Sequence, residues 1–472
     1  MPQSSIHAAL GLALALVAAT VAGCVSSHAR RGYADVLRES DAPLADATGT
    51  RARPMATDEA ALTEEVRLAT VLRLALARSP DLAAARARVR ALAERIPAAE
   101  RLPDPELVYQ QEAVPLARPY ALDEAGQLML GVRQSFPAPG SLAARSRAAL
   151  ADALVEAANQ RTQAQDLATR VRRAYFEYYR AWNEYRAHLE HVEIASRLVE
   201  LARDRYETGR GRQNDVLRLL VQLSRLHADL SDAEQAVSSG RALLNALMAR
   251  DPDAPLGPPA AHEPTDTRLD LAALDRTLEH QRPELTAAAR VVERDEASLA
   301  AARRTRDWPS FMVGVDYMLM PTMEEPHGYA AMVSMTLPWL NPAHGERVRA
   351  GEHALAADRF ALDSARQTAR YELRAAAARH EAARRALGLL EHDVLPQARR
   401  SYEAARDLFA AGEGDVLGVV DALRAYVEVR LERTRALARL EASLADVDRA
   451  AGTAIAETDA NTAATHTTRD TP

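Results

Sequence analysis

Two periodicities alternate along this chain. Over most of its length apolar residues recur every three to four positions, and in four short stretches they recur every second position. The helical pattern covers about 58–101, 141–208, 213–250, 268–305, 346–410 and 415–452, and the alternating pattern about 106–114, 127–136, 310–320 and 329–337. In the second alternating stretch Leu128, Leu130 and Val132 share a face opposite Gln127, Gly131, Arg133 and Ser135. In the third, Phe311, Val313, Val315, Tyr317 and Leu319 oppose Met312, Gly314, Asp316, Met318 and Met320. The fourth puts Ala330, Met332, Ser334 and Thr336 on its smaller face, and Gln111 interrupts the apolar side of the first. The stretch 141–208 has neither glycine nor proline, so at 1.5 Å per residue it predicts a helix about 100 Å long. No globular domain of this size has a core that deep. The second long helix contains Gly351, Gly388 and Pro396, which predicts a bend near Pro396.

The pattern is written twice, at an offset of about 203 residues. Pro80-Asp81-Leu82 returns as Pro283-Glu284-Leu285, Phe136-Pro137 as Leu337-Pro338, Arg145-Ser146-Arg147 as Arg347-Val348-Arg349, and Gly209-Arg210-Gly211 as Gly412-Glu413-Gly414. A duplication implies one structural unit used twice. Each copy, 58–250 and 268–452, reads helix, strand, strand, very long helix, tight glycine turn, helix. A Pro-rich linker, 251–267, joins them; 24–57 reads as an extended polar arm and 453–472 as a disordered tail. In each repeat the two shorter helices together match the long one, so stacked end to end they pair with it along its length. The fold class is mainly α, with long helical hairpins and a small β part.

The strands have the length and alternation of membrane strands, about ten residues each; the alternative is a soluble two-sheet cap. In lipid, open strand edges are intolerable, and four strands cannot close a barrel. Eight strands from two chains close a barrel whose interior fills with side chains, whereas twelve from three chains leave an aqueous channel. A trimer is therefore the smallest assembly that both closes the edges and leaves a pore.

Composition narrows the function. Of 472 residues only 4% are aromatic, the mixture of long helices rather than ordinary cores. The net charge of −7 gives no reason to expect nucleic acid. HExxH, a glycine-rich phosphate loop and GxSxG are all missing from the sequence, and the histidines lack ligand spacing, His188 and His191 included. No enzyme and no cofactor is expected. The lone cysteine, Cys24, ends an apolar run over 8–22, in Val21-Ala22-Gly23-Cys24. This resembles the lipobox of bacterial lipoproteins, with 1–23 as signal peptide and Cys24 as the lipidated N-terminus; an ordinary secretory signal with an incidental cysteine is the alternative. Val25 stands where inner-membrane lipoproteins often carry aspartate, which favours the outer membrane.

In this order and spacing the chain resembles the TolC-type outer-membrane factors of tripartite efflux systems, from about 58 to 452. The resemblance rests on the duplicated unit, on Phe136-Pro137-Ala138-Pro139-Gly140 and Leu337-Pro338-Trp339 at the strand-to-helix junctions, and on the glycine turns. Val394-Leu395-Pro396-Gln397-Ala398 and Asp421-Ala422-Leu423-Arg424-Ala425-Tyr426 add to it. It implies a homotrimer with a twelve-stranded outer-membrane barrel and a periplasmic helical tunnel, loaded by an inner-membrane pump through a periplasmic adaptor. It also implies that Gly209, Gly211, Gln213, Asn214, Gly412, Glu413, Gly414 and Asp415 form tips that dock the adaptor, although such glycines also simply end helices. Where family members place an acidic pair three residues apart to constrict the pore, this chain has Gly418 and Asp421, with Asp215 and Arg218 at the equivalent sites of the first repeat. The gate expected from these is Asp421 carboxylates held shut by Arg218. A periplasmic adaptor lipoprotein is the competing class, but it would show one hairpin between β-rich halves.

The second strand pair is rich in methionine, with Met312, Met318, Met320, Met323, Met332 and Met335 around His327. Thioethers suit Cu(I) or Ag(I), which marks Met312, Met318, Met320 and Met332 as possible metal contacts. Tyr317-Met318-Leu319-Met320-Pro321 and Thr336-Leu337-Pro338-Trp339-Leu340 also resemble the heavy-metal branch of the family. Methionine is equally a filler of irregular apolar packing, and drugs or other small molecules remain the alternative cargo.

Overall fold

The computed structural model describes residues 26–41, 55–113, 117–118, 120, 125–265, 268–321, 327–411, 413–414 and 416–453. Cys24 and the signal segment, Gly412, Asp415, Met323 and the tail lie outside the described residues. The elements in order are α1 (Ser27–Asp41), α2 (Met55–Glu64), α3 (Leu68–Arg78), α4 (Pro80–Ala93), α5 (Arg95–Glu100), β1 (Glu106–Glu112), β2 (Gln127–Phe136), α6 (Ser141–Glu207) and α7 (Gln213–Leu247). There follow α8 (Leu271–Gln281), α9 (Pro283–Asp307), β3 (Phe311–Leu319), β4 (His327–Met335), α10 (Ala343–Leu389), α11 (Leu395–Ala411) and α12 (Val416–Ala451). The described residues fall into two compact units, each drawing on both repeats: one from 1–42, 85–159 and 284–365, the other from 43–84, 160–283 and 366–472.

The first unit holds one antiparallel sheet in the order β1-β2-β3-β4. The two repeats meet at its centre, where β2 pairs with β3 over Leu128↔Leu319 to Phe136↔Phe311. The outer strands β1 and β4 each pair on one side only. Below the sheet α1 packs on α4, α5 and α6, with Ala29 and Val36 among Val89, Ala93, Ile96, Ala153 and Ala157. This corrects the expectation of an irregular arm over its length. Ala29, Gly32, Val36 and Ser40 recur at helical spacing and are all buried, so burial of that stripe decides the conformation. Gly32 lets the helix approach α6 closely, since a Cβ there would lie 2.9 Å from Leu150 Cδ2. Tyr33 donates to Glu94 at 2.8 Å and Arg90 pairs with Asp41 at 2.9 Å.

In the second unit, the expected first helix is broken after Glu64 and at Pro80, and its counterpart in repeat two at Pro283. Proline supplies no N–H and fits the first helical position, so both copies restart at the same place. The earlier break has a different cause. Val66 leaves the helix to receive the inter-repeat linker: its N–H donates to Pro258 O at 2.8 Å and its carbonyl accepts from Ala260 N at 2.9 Å. Tyr178, fully buried on α6, donates to Gly257 O at 2.8 Å. The Pro-rich segment is thus built into the core. Near Pro396, where a bend is expected, the helix makes a π-turn, Leu390–Val394, in which Leu395 N–H reaches back to Leu390 O. That extra residue accommodates the proline without ending the helix.

Gly131 is the tightest point of the sheet. A Cβ there would stand 1.8 Å from Asp316 Oδ1 and 2.9 Å from Val315 O. Gly131→Ala is therefore expected to destabilise the sheet by about 2 kcal/mol, read as a lower thermal midpoint. Adding Asp316→Gly should recover part of that loss, because the carboxylate is the nearer obstacle.

Candidate functional site: the sheet face and the hairpin tips

Register fixes what each face of the sheet presents. Residues paired directly across strands share a face, so Leu107, Tyr109, Leu128, Leu130, Val132, Phe311, Val313, Val315, Tyr317, Tyr329, Val333 and Met335 lie together. This face is open to its surroundings: Tyr329 is 77%, Leu107 74% and Val333 73% exposed. A sheet turning so much apolar area outward is suited to oil, not water. The opposite face carries Glu106, Gln110, Glu112, Gln127, Arg133, Ser135, Asp316 and Ser334. Interspersed are Met129, Met312, Met318 and Met332.

Three of the four sequence-picked methionines, Met312, Met318 and Met332, therefore sit on the polar face, and Met129 joins them from the other repeat. The fourth, Met320, lies just past β3; its methyl and that of Met318 both approach Gly328, at 3.2 and 3.4 Å from a Cβ built there. Asp316 is only 3% exposed, its carboxylate lying over Gly131. Arg133 lays its stem over Gly314, with Cγ 3.0 Å from a Cβ built there. Each large side chain is housed by the glycine on the neighbouring strand. Among the described residues no cluster of three His, Cys, Asp or Glu side chains has the arrangement of a metal centre.

At the other end of the long helices, the two turns are copies in detail. Gly209 has φ +70°, the left-handed region that ends a helix at glycine, and Arg210 N–H donates to Arg205 O at 2.8 Å. In repeat two, Glu413 N–H donates to Leu408 O at 3.1 Å. A Cβ on Gly211 would meet Tyr206 N at 3.0 Å, and one on Gly414 would meet Phe409 N at 3.0 Å. Gln213 and Asn214 follow at the exposed start of α7. Above the turns Leu219, Val416, Val419 and Leu423 form a shared core, with Tyr402 and Tyr426 stacked 5.7 Å apart.

The residues expected to form the gate are not joined to one another. Arg218 and Asp421 are both exposed and Asp215 is half-buried, and among the described residues no ion pair links them. The hairpins are instead tied by groups the sequence reading missed. Arg205 donates to Phe409 O and lies 4.7 Å over the Phe409 ring. Arg424 donates to Gln222 Oε1, through Nε at 2.8 Å. Both contacts join residues separated by nearly the repeat offset, so the duplication itself was the available signal.

Higher on α6, His188 and His191 are both buried, their rings 6.1 Å apart edge to face. Burial holds His191 down at about 3, with further lowering by Arg430 and His188. Burial lowers His188 too, against Asp229 and Glu184 and with Arg435.

The sequence profile of the outer membrane efflux protein family matches residues 71–250 and 273–453. The chain belongs to this family. It is an outer-membrane efflux channel and not an enzyme. Each subunit contributes four strands to a trimeric twelve-stranded barrel and long helical hairpins to a periplasmic tunnel. No curated protein matches the chain. Among solved structures, the outer-membrane channel OprN shares 17% identity at TM-score 0.68, covering 86% of this chain and 95% of its own. CusC shares 17% at TM-score 0.70, covering 83% and 93%. The MtrE outer-membrane channel of Neisseria gonorrhoeae, in its open state, shares 19% at TM-score 0.66, covering 83% and 90%. At these identities the likeness is one of fold.

The buried histidines give the family member a pH dependence. A pKa lowered on folding means that stability is full above about pH 6.5 and is lost as pH falls toward 3. The thermal midpoint is expected to drop from about pH 7 to about pH 4.5, and His191→Phe should flatten that drop. An unchanged slope in the variant would assign the acid sensitivity elsewhere.

Proposed function

We propose that the protein is the exit duct of a tripartite efflux system, receiving cargo from an inner-membrane pump through a periplasmic adaptor that docks on the tips. The observation that carries the docking role is the apolar surface around the two turns. Tyr206, Leu217, Val221, Leu408 and Leu417 are all exposed there, a concentration that free periplasmic tips would not keep without a partner. Gly209, Gly211, Gln213, Asn214, Glu413 and Gly414 shape that surface, with Gly412 and Asp415 completing the second turn in sequence. Asp421, Arg218 and Asp215 form the charged lining of the constriction in this reading. The closed state is held by Arg205 on Phe409 and by Arg424 on Gln222.

Cys24 serves as the lipid anchor. The described chain begins at Ser26, whose N–H donates to Glu100 Oε2 at 3.0 Å. Glu100 stands just ahead of β1, so Ser26 is held near the start of the strands. Cu(I) or Ag(I) is the proposed cargo class, supported by the thioethers of Met129, Met312, Met318 and Met332 on the polar face of the sheet. Thioethers lining a passage suit weak, successive contacts in transit rather than storage.

The purified protein in a planar bilayer is expected to conduct; a non-conducting monomer would overturn the duct reading. Deleting the gene should sensitise cells to silver and copper, and sensitivity to dyes alone would transfer the cargo to organic molecules. Arg205→Ala removes a charge-assisted hydrogen bond and a cation–π contact, so opening should become easier by about 1–2 kcal/mol. That is roughly a 5- to 30-fold gain in open-state occupancy, read as single-channel open time.

A further inference from the structure

The duplicated Arg-x-Arg motif sits in the opening turns of the two long helices, Arg145 and Arg147 on α6 and Arg347 and Arg349 on α10. Arginines nearby are committed to carboxylates, as Arg303 is to Glu352 at 2.8 Å and Arg359 to Glu296 at 2.8 Å. Among the described residues none of the four motif arginines forms an ion pair, and all four are exposed. Two of them, Arg145 and Arg347, line a cavity of about 250 Å³ together with His344, Thr305, Ala301 and Ala302. No acidic side chain lines it. His344, in the first turn of α10, brings the positive end of that helix to the cavity. The site is built for an anion.

Its level along the fold identifies which anion. The cavity adjoins the end of α9, which leads through Trp308 into β3, and β4 leads through Trp339 and Leu340 into α10. Ser310 and Thr336 hold these segments together, Thr336 N–H donating to Ser310 O at 2.9 Å. Trp308, Trp339 and Leu340 are exposed, and they flank the strand ends at Phe311 and Met335, which pair with each other. Two of the protein's 3 tryptophans thus stand where oil-facing strands give way to periplasmic helices. Tryptophan favours that headgroup level because its ring is apolar and its N–H is not. A cationic cavity beside such a belt meets lipid phosphates at their own depth.

We propose that the cavity at Arg145 and Arg347 is a headgroup site for an anionic phospholipid of the periplasm-facing leaflet. The guanidinium groups hold the phosphate, and Trp308 and Trp339 seat beside the acyl chains. Two unpaired arginines favour a net-negative headgroup over a zwitterionic one.

The test reconstitutes the full-length protein in phosphatidylcholine vesicles containing a minor share of phosphatidylglycerol. Lipids retained after transfer to detergent are then counted by native mass spectrometry. Phosphatidylglycerol is expected about five- to tenfold above its bulk share. Arg145→Gln with Arg347→Gln should bring it to the bulk share, and the Lys pair at the same positions should keep most of it. If the glutamine pair fails to assemble, His344→Ala is read in its place and is expected to reduce enrichment at least twofold. Enrichment that is absent, or unchanged in these variants, overturns the site. So does inorganic phosphate stabilising the detergent-solubilised protein as well as the lipid does, which would assign the cavity to a free ion. Conductance in pure phosphatidylcholine should be wild-type in every variant. Its loss together with lipid enrichment would trace the effect to barrel folding and also overturn the site.

Discussion

Hydrogen-bond satisfaction at the edges of the sheet is the constraint on which the rest of the molecule depends. β2 and β3 are paired on both sides, but β1 and β4 each keep one row of N–H and C=O groups unpaired within the chain. In water such edges cost little. In hydrocarbon each unpaired group costs several kcal/mol, far more than any local packing adjustment returns. The outward face of these strands is apolar and exposed, so the edges face hydrocarbon and must be met by other copies. The trimer follows from the edges, and the duct follows from the trimer, because twelve strands enclose a lumen that eight would fill.

The same constraint explains why two repeats suit this fold. Their central junction is the β2–β3 pairing, so neither hairpin is left to stand alone in the membrane. Along the helices, equivalent positions of the two repeats come level with one another. Arg205 meets Phe409, and Gln222 meets Arg424. The tips are then two copies of one turn, down to the same 3.0 Å approach at Gly211 and Gly414.

Periodicity made the long elements legible from sequence. The glycine- and proline-free stretch gave α6 within a residue, and the alternation in 127–136 gave β2 with its faces. Breaks set by long-range contacts were not legible. Nothing local says that Val66 leaves its helix to bond with Pro258 and Ala260, or that Gly32 and Val36 dock a helix where a polar arm was read. At the tips the charged residues were visible, but their partners were not. The family resemblance singled out Arg218 and Asp421 as an ion pair, whereas the contact that forms uses a backbone carbonyl and an aromatic ring at Phe409. Neither of those groups carries a formal charge to search for.

Under the proposed function, that choice of contact has a physical consequence for gating. An exposed Arg–Asp pair is screened by salt and worth at most about 1 kcal/mol, so it would make a latch sensitive to ionic strength. A guanidinium over a ring with a carbonyl acceptor is partly shielded and depends less on salt. It is also weak enough, at about 1–2 kcal/mol, for a docking partner to break with a fraction of its own binding energy. The core behind it, from Leu219 to Leu423, is a far larger set of contacts. On the proposed gating, closure would reside in a few polar contacts near the two turns, such as Arg205 on Phe409, while the stability of the hairpins resides in the apolar core.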